Sequence, residues 1–152
     1  MIWVERALAK MSSAVVAISQ RQYRDLVQTY RIVKREKCHI IPLGFDFSAL
    51  TSAPSGEFKR DLGLPASITL IGIIARLAPI KNHQLFLEGI AAWCQLQDGW
   101  TPAKIRFLII GDGHLRAELE QTCHDLRLDD WVAFTGWRRD MPAVYQDLDL
   151  NV

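Results

Sequence analysis

The chain has 152 residues, of which 49% are hydrophobic and 23% charged, the balance of a core-forming globular protein rather than a disordered one. Its 18 basic and 17 acidic side chains leave a net charge of +1, which excludes a bulk electrostatic attraction to nucleic acid. The longest apolar runs, at 14–18 and 68–75, fall far short of the ~20 residues that cross a membrane, and Met1-Ile2-Trp3-Val4-Glu5 lacks the basic start of a signal peptide.

Val4, Ala7, Leu8 and Met11 recur at helical spacing, so a helix is expected over 3–11. The run 14–18 (AVVAI) reads as a short buried strand. Ser19 then caps a helix whose apolar face is Tyr23, Leu26, Val27 and Tyr30. The cations Arg31, Lys34, Arg35 and Lys37 form a solvated connection to a strand at 39–41. A turn at 42–46 leads into a Ser/Thr/Pro/Gly-rich, linker-like stretch over 48–56. Beyond it come a short helix at 57–62, a strand at 68–75, a helix capped by Asn82, and a strand at 104–110. The turn Gly111-Asp112-Gly113 opens the next helix, followed by a strand at 131–135, a helix at 140–147 and a strand at 148–152. Strand and helix alternate throughout. The expected fold is therefore α/β, an open parallel Rossmann-like sheet with helices on both faces.

In such a sheet ligands sit at the carboxyl ends of the strands. Arg76 ends the 68–75 run, and Lys81 follows just before a helix start. A guanidinium fork, an ammonium and helix N-terminal amides suit a polyanion such as a diphosphate, although two ordinary surface cations would give the same spacing. Gly111 and Gly113 allow a sharp turn and a close backbone approach, and Gly136 repeats a glycine at a strand end; each also reads as a plain turn. There is no G-x-G-x-x-G or G-x-x-x-x-G-K-[ST] pattern. His39, His83, His114 and His124 have no metal-ligand spacing, and His83 and His114 read as partly exposed residues at helix starts. Cys38, Cys94 and Cys123, odd in number and scattered, fit buried thiols of a reducing compartment. No catalytic acid, base or nucleophile can be picked out.

Four segments in order resemble glycosyltransferase family 4, the retaining, nucleotide-sugar-dependent enzymes of GT-B fold. They are AVVAIS; IIPLGFD, with Leu43 where the family's Asn is usual; IIARLAPIK, with Ala75 where Gly is common; and FLIIGDGHLRAELE with VAFTGW. The resemblance implies that Arg76 and Lys81 bind the donor diphosphate. It implies that Gly44, Gly111, Asp112, Gly113, Gly136, Trp137 and Arg138 line the donor cleft, those at 136–138 near the base and largely through backbone. It further implies a tail of an N-terminal acceptor domain plus linker over 1–56, and a truncated C-terminal nucleotide-sugar-binding domain, hence a partial GT-B fold, over 57–152. The family's E-x7-E element and the glycine-rich loop and histidine of its acceptor domain are absent from the sequence, so the chain alone is expected to be an inactive fragment of a transferase.

The implied substrates are a nucleotide-diphosphate sugar and a glycan or lipid-linked acceptor, in polysaccharide biosynthesis. No metal, cofactor or nucleic acid partner is implied. The expected location is cytoplasmic, peripheral to the inner membrane if at all, with any membrane contact falling to the missing N-terminal domain. A GT-B nucleotide-sugar epimerase, a glycogen-synthase-like enzyme and a non-catalytic nucleotide- or protein-binding α/β module are the alternatives.

Overall fold

The computed structural model describes residues 2–51 and 54–152, so Ser52 and Ala53 of the linker-like stretch, and Met1, lie outside the described residues. The chain divides into two compact units, Met1–Asp46 and Phe47–Val152.

In the first unit, α1 (Ile2–Met11) precedes strand β1 (Val15–Ala17), helix α2 (Gln20–Arg24) and strand β2 (Cys38–Ile40). Ser19 is extended, and its Oγ accepts the N–H of Gln22 at 3.1 Å, the N-cap its sequence position predicts. The two strands pair in parallel, Val15 opposite Cys38. After Arg24 the helix widens into a π-turn over Asp25–Thr29. The wider turn breaks the 3.6-residue phase, so Tyr30 is 47% exposed and does not join the apolar face expected of it. Ala9, Ala17, Val33 and Cys38 form this unit's small core.

The second unit holds α3 (Glu57–Asp61), β3 (Thr69–Ile74), α4 (His83–Leu96), β4 (Ile105–Ile110), α5 (Arg116–Asp125), β5 (Val132–Gly136), α6 (Met141–Asp147) and β6 (Leu150–Asn151). Its four strands are all parallel, in the order β5-β4-β3-β6. β4 is apolar at almost every position because it is buried on both faces. Ile105, Phe107 and Ile109 pack with Leu87 and Ile90 of α4 and Leu119 and Cys123 of α5. Leu108 and Ile110 point the other way, to Phe58 of α3 and Ala143 and Val144 of α6. The fold is thus the expected α/β type, a parallel sheet with helices on both faces. Trp93 meets Phe107 and Trp131 edge-on at 5.5 and 5.9 Å, so these aromatics belong to the α4 side of the core.

Residues before α3 are tied into this unit. The buried carboxylate of Asp147 accepts the N–H groups of Gly56 and Lys59, the latter at 2.9 Å, and so caps α3 from the far end of α6.

Candidate functional site

The chain runs from β3 to β4 to β5 in one direction, then returns to lay β6 on the other side of β3. The carboxyl ends of β3 and β6 therefore flank the reversal point of the sheet, where ligands of open α/β folds bind. Arg76 and Lys81 both lie on the loop that leaves β3.

That loop is held by its neighbours, backbone to backbone. The N–H of Ala75 donates to the carbonyl of Ile110 at 3.0 Å, that of Leu77 to the carbonyl of Asp112 at 3.0 Å, and that of Gly111 to the carbonyl of Gly136 at 2.9 Å. A Cβ on Gly111 would lie 2.2 Å from the carbonyl oxygen of Ala75, and one on Gly113 would lie 2.4 Å from that of Leu77. Gly111 also has φ +137, outside the range comfortable for other residues. What approaches these two glycines closely is the neighbouring strand end, so the ends of β3, β4 and β5 form one seam. Asp112 is exposed; it accepts the N–H of Gly113 at 2.8 Å and sits 3.8 Å from the guanidinium of Arg116. The helix after this turn starts only at Arg116.

Beyond Leu77 the chain makes a tight turn over Pro79–Lys81, and Asn82 takes the left-handed conformation at φ 48. Asn82 stands at the N-cap position of α4 as expected, but its side chain makes no capping hydrogen bond. Its contribution is the sharp change of direction, which an asparagine tolerates better than most residues. Arg76 and Lys81 are exposed, and among the described residues neither forms an ion pair. An open, mainly apolar groove of about 640 Å³ is lined by Lys81 and Asn82 together with Ile73, Leu85, Phe86 and Val152; Arg76 is not part of this lining.

His83, the first residue of α4, is not the partly exposed histidine its position suggested. It is 2% exposed, and neither ring nitrogen has a hydrogen-bond partner. Burial, and then the charge of Lys81, push its pKa below the ordinary value, so the ring is held neutral. His114 and His124 are exposed, and His124 pairs with Asp129 at 3.2 Å.

At the end of β5, Gly136 is buried with φ 71 and Trp137 is 70% exposed. The side chain of Arg138 turns away to a cluster of its own. It makes a two-pronged bond to Asp140, reaches Asp61 at 2.7 Å, and lies 5.2 Å over the ring of Phe58. The hydrogen bonds to Asp140, opposed by partial burial and reinforced by Asp61, hold the guanidinium's pKa above its ordinary value. Of this segment Trp137 is the exposed side chain. Gly44 belongs to the first unit, where a Cβ added to it would meet nothing within 4 Å. Among the described residues no three metal-ligating side chains come together. Neither the Asp61–Arg138–Asp140 cluster nor the depth of His83 follows from local spacing in the sequence.

A parallel sheet covered on both faces, with a cationic loop at its reversal point, makes the second unit a Rossmann-like α/β domain. The chain belongs to the family Glycosyl transferases group 1, which matches residues 68–152. It is 28% identical over 153 residues to the UDP-Gal:alpha-D-GlcNAc-diphosphoundecaprenol alpha-1,3-galactosyltransferase of Escherichia coli, covering 99% of this chain and 38% of that protein. It is 26% identical to the 2-deoxystreptamine glucosyltransferase of Streptomyces kanamyceticus, covering 97% and 38%. The fold matches that of Anabaena HepE, solved in complex with UDP, with a TM-score of 0.76 at 24% identity over 99% of this chain and 41% of that one. The chain thus spans well under half the length of these relatives.

Proposed function

We propose that this chain is the donor-binding part of a retaining glycosyltransferase of family 4 type, which moves a sugar from a nucleotide diphosphate to a glycan or lipid-linked acceptor. The observation that carries the reading is the loop at the reversal point of the sheet, where Arg76 and Lys81 are both exposed and, among the described residues, in no ion pair, on a backbone frame that Gly111 and Gly113 let pack closely. Arg76 supplies a fork to the diphosphate oxygens and Lys81 a point charge, beside the N-terminus of α4. Charge that grows on the leaving diphosphate as the glycosidic bond breaks is stabilised by these groups without a metal.

The backbone over 111–113 and 136–138, with Asp112 and Trp137, lines the donor cleft. The acceptor reading draws on two relatives named for a diphosphoundecaprenol-linked and a 2-deoxystreptamine acceptor. Work on cytosolic nucleotide sugars puts the protein in the cytoplasm; among the described residues no helix is long and apolar enough to cross a membrane.

Calorimetric titration with UDP, GDP and ADP sugars tests this. One of them should bind, and Arg76→Ala/Lys81→Ala should weaken it roughly 100-fold, at about 1.5 kcal/mol for each charge-assisted contact. Undiminished binding in the double variant removes both residues from the site.

A further inference from the structure

The end of β5 departs from the ladder that precedes it. Ile109 pairs with Phe134 but Ile110 with Gly136, so Thr135 has no opposite number on β4. Gly136 then takes φ 71 and accepts the N–H of Gly111 at 2.9 Å, in a bridge of antiparallel sense beside a parallel sheet. An extra residue of this kind re-aims the backbone that follows it.

Two positions further on, Arg138 holds the new course. Its Nε donates to one oxygen of Asp140 at 2.8 Å and its Nη2 to the other, while Nη1 reaches Asp61 at 2.7 Å. Asp140 is a neighbour and shapes the turn locally. Asp61 is not: it ends α3, a helix anchored independently of the turn. Phe58 of α3 is fully buried against Leu108, Ile110 and Val144, and Asp147 caps the helix from α6. The guanidinium, 5.2 Å over the Phe58 ring, thus ties the end of β5 to a fixed post.

An arginine whose three nitrogens each have a carboxylate partner is poorly placed to serve a further anion, because its charge is already matched. Its work is geometric. We propose that Arg138 is a positioning residue: by joining the turn after β5 to Asp61 on α3, it sets the course of backbone 136–138, against which the nucleoside end of the donor is recognised, without touching the donor. This rests on the donor reading above and adds a division of labour to it. Arg76 and Lys81 supply affinity for the diphosphate, and the Asp61–Arg138 link supplies discrimination between bases. Hydrogen bonds to a base edge weaken steeply with misplacement, whereas the attraction of cations for a diphosphate falls off slowly with distance. Loosening the turn therefore costs base selectivity far more than diphosphate affinity.

Calorimetric titration of the chain with inorganic pyrophosphate, and separately with UDP, GDP and ADP, is the test. The parent is expected to bind pyrophosphate and to prefer one nucleotide over the other two. Arg138→Ala and Asp61→Ala should each weaken the preferred nucleotide roughly tenfold and narrow its lead, with pyrophosphate affinity kept within about twofold. Arg138→Lys keeps the charge but cannot span both carboxylates, and should fall between the parent and Arg138→Ala. Arg139→Ala removes the same charge from the next, exposed position and should bind like the parent. Retained pyrophosphate binding shows that the second unit of each variant is folded, and Arg138→Lys with Asp61→Ala carries the test if Arg138→Ala does not fold.

Equal losses of pyrophosphate and nucleotide would make the link a general prop of the fold and overturn the proposal. So would a loss in Arg138→Ala that Asp61→Ala does not share, which would put the guanidinium on the ligand. Variants that bind like the parent overturn this inference and leave the donor reading standing. A parent that binds neither pyrophosphate nor any of the three nucleotides overturns the donor reading, and this inference with it.

Discussion

Asp147 sits at the last turn of α6 and is 4% exposed, yet its oxygens reach backbone N–H groups 91 and 88 positions earlier in the chain. A buried carboxylate is tolerated when such donors replace its water, and these donors would themselves be orphaned without it. Asp147→Ala should therefore lower the stability of the second unit by about 2–4 kcal/mol, and Asp147→Asn, which keeps one acceptor, by less. Urea unfolding followed by the emission of the Trp93–Trp131 cluster measures both. A loss within error of zero would mean that the link to α3 contributes nothing.

His83 gives a pH dependence whose sign can be worked out. Its folded-state pKa is lowered from 6.5, so the unfolded chain binds the proton more readily. Stability should fall as pH drops below 6.5, and this contribution should level off once the lower folded-state value is passed. His83→Phe fills a similar volume without titrating. Its unfolding midpoint should change less over the same pH window than that of the parent, and parallel profiles would remove His83 as the source.

The strands and helices of the second unit were legible because each local signal agrees with the fold. The run of β4, apolar except at Arg106, fits a strand covered on both faces, and glycines at the ends of β4 and β5 marked where the chain turns. What was not legible is what depends on the third dimension. Asn82 has the residue type of a cap, but its left-handed backbone serves a turn. The π-turn after Arg24 has no composition that announces it. The glycine pair could be read as an approach to a ligand or as a plain turn, and only the coordinates bring the carbonyls of Ala75 and Leu77 against it. Gly113→Ala should force the β3 and β4 loops apart, costing ~2 kcal/mol or more in stability and weakening anion binding through Lys81 and Arg76 without touching either. If stability and nucleotide-sugar affinity were both unchanged, the loops would not be coupled.

At the scale of the whole chain, average composition hides a difference between the units: the net charge of +1 averages over a basic unit and an acidic one. Leu87 and Ile90, three positions apart on α4, lie in the core with Leu119 of α5, as the helical period of a half-buried helix requires. The order β5-β4-β3-β6 could not be read in this way, because strand neighbours are set by how connections cross the sheet and not by any one segment. That order makes the β3 loop the rim of the crevice.

Because β3, β4 and β5 are fastened to one another through main-chain atoms, their outward side chains are free to vary. Asp112, His114 and Trp137 can be exchanged with little disturbance to the scaffold, while Gly111 and Gly113 cannot. A library that randomises the former and holds the latter fixed is the economical route to testing whether this rim selects a nucleotide.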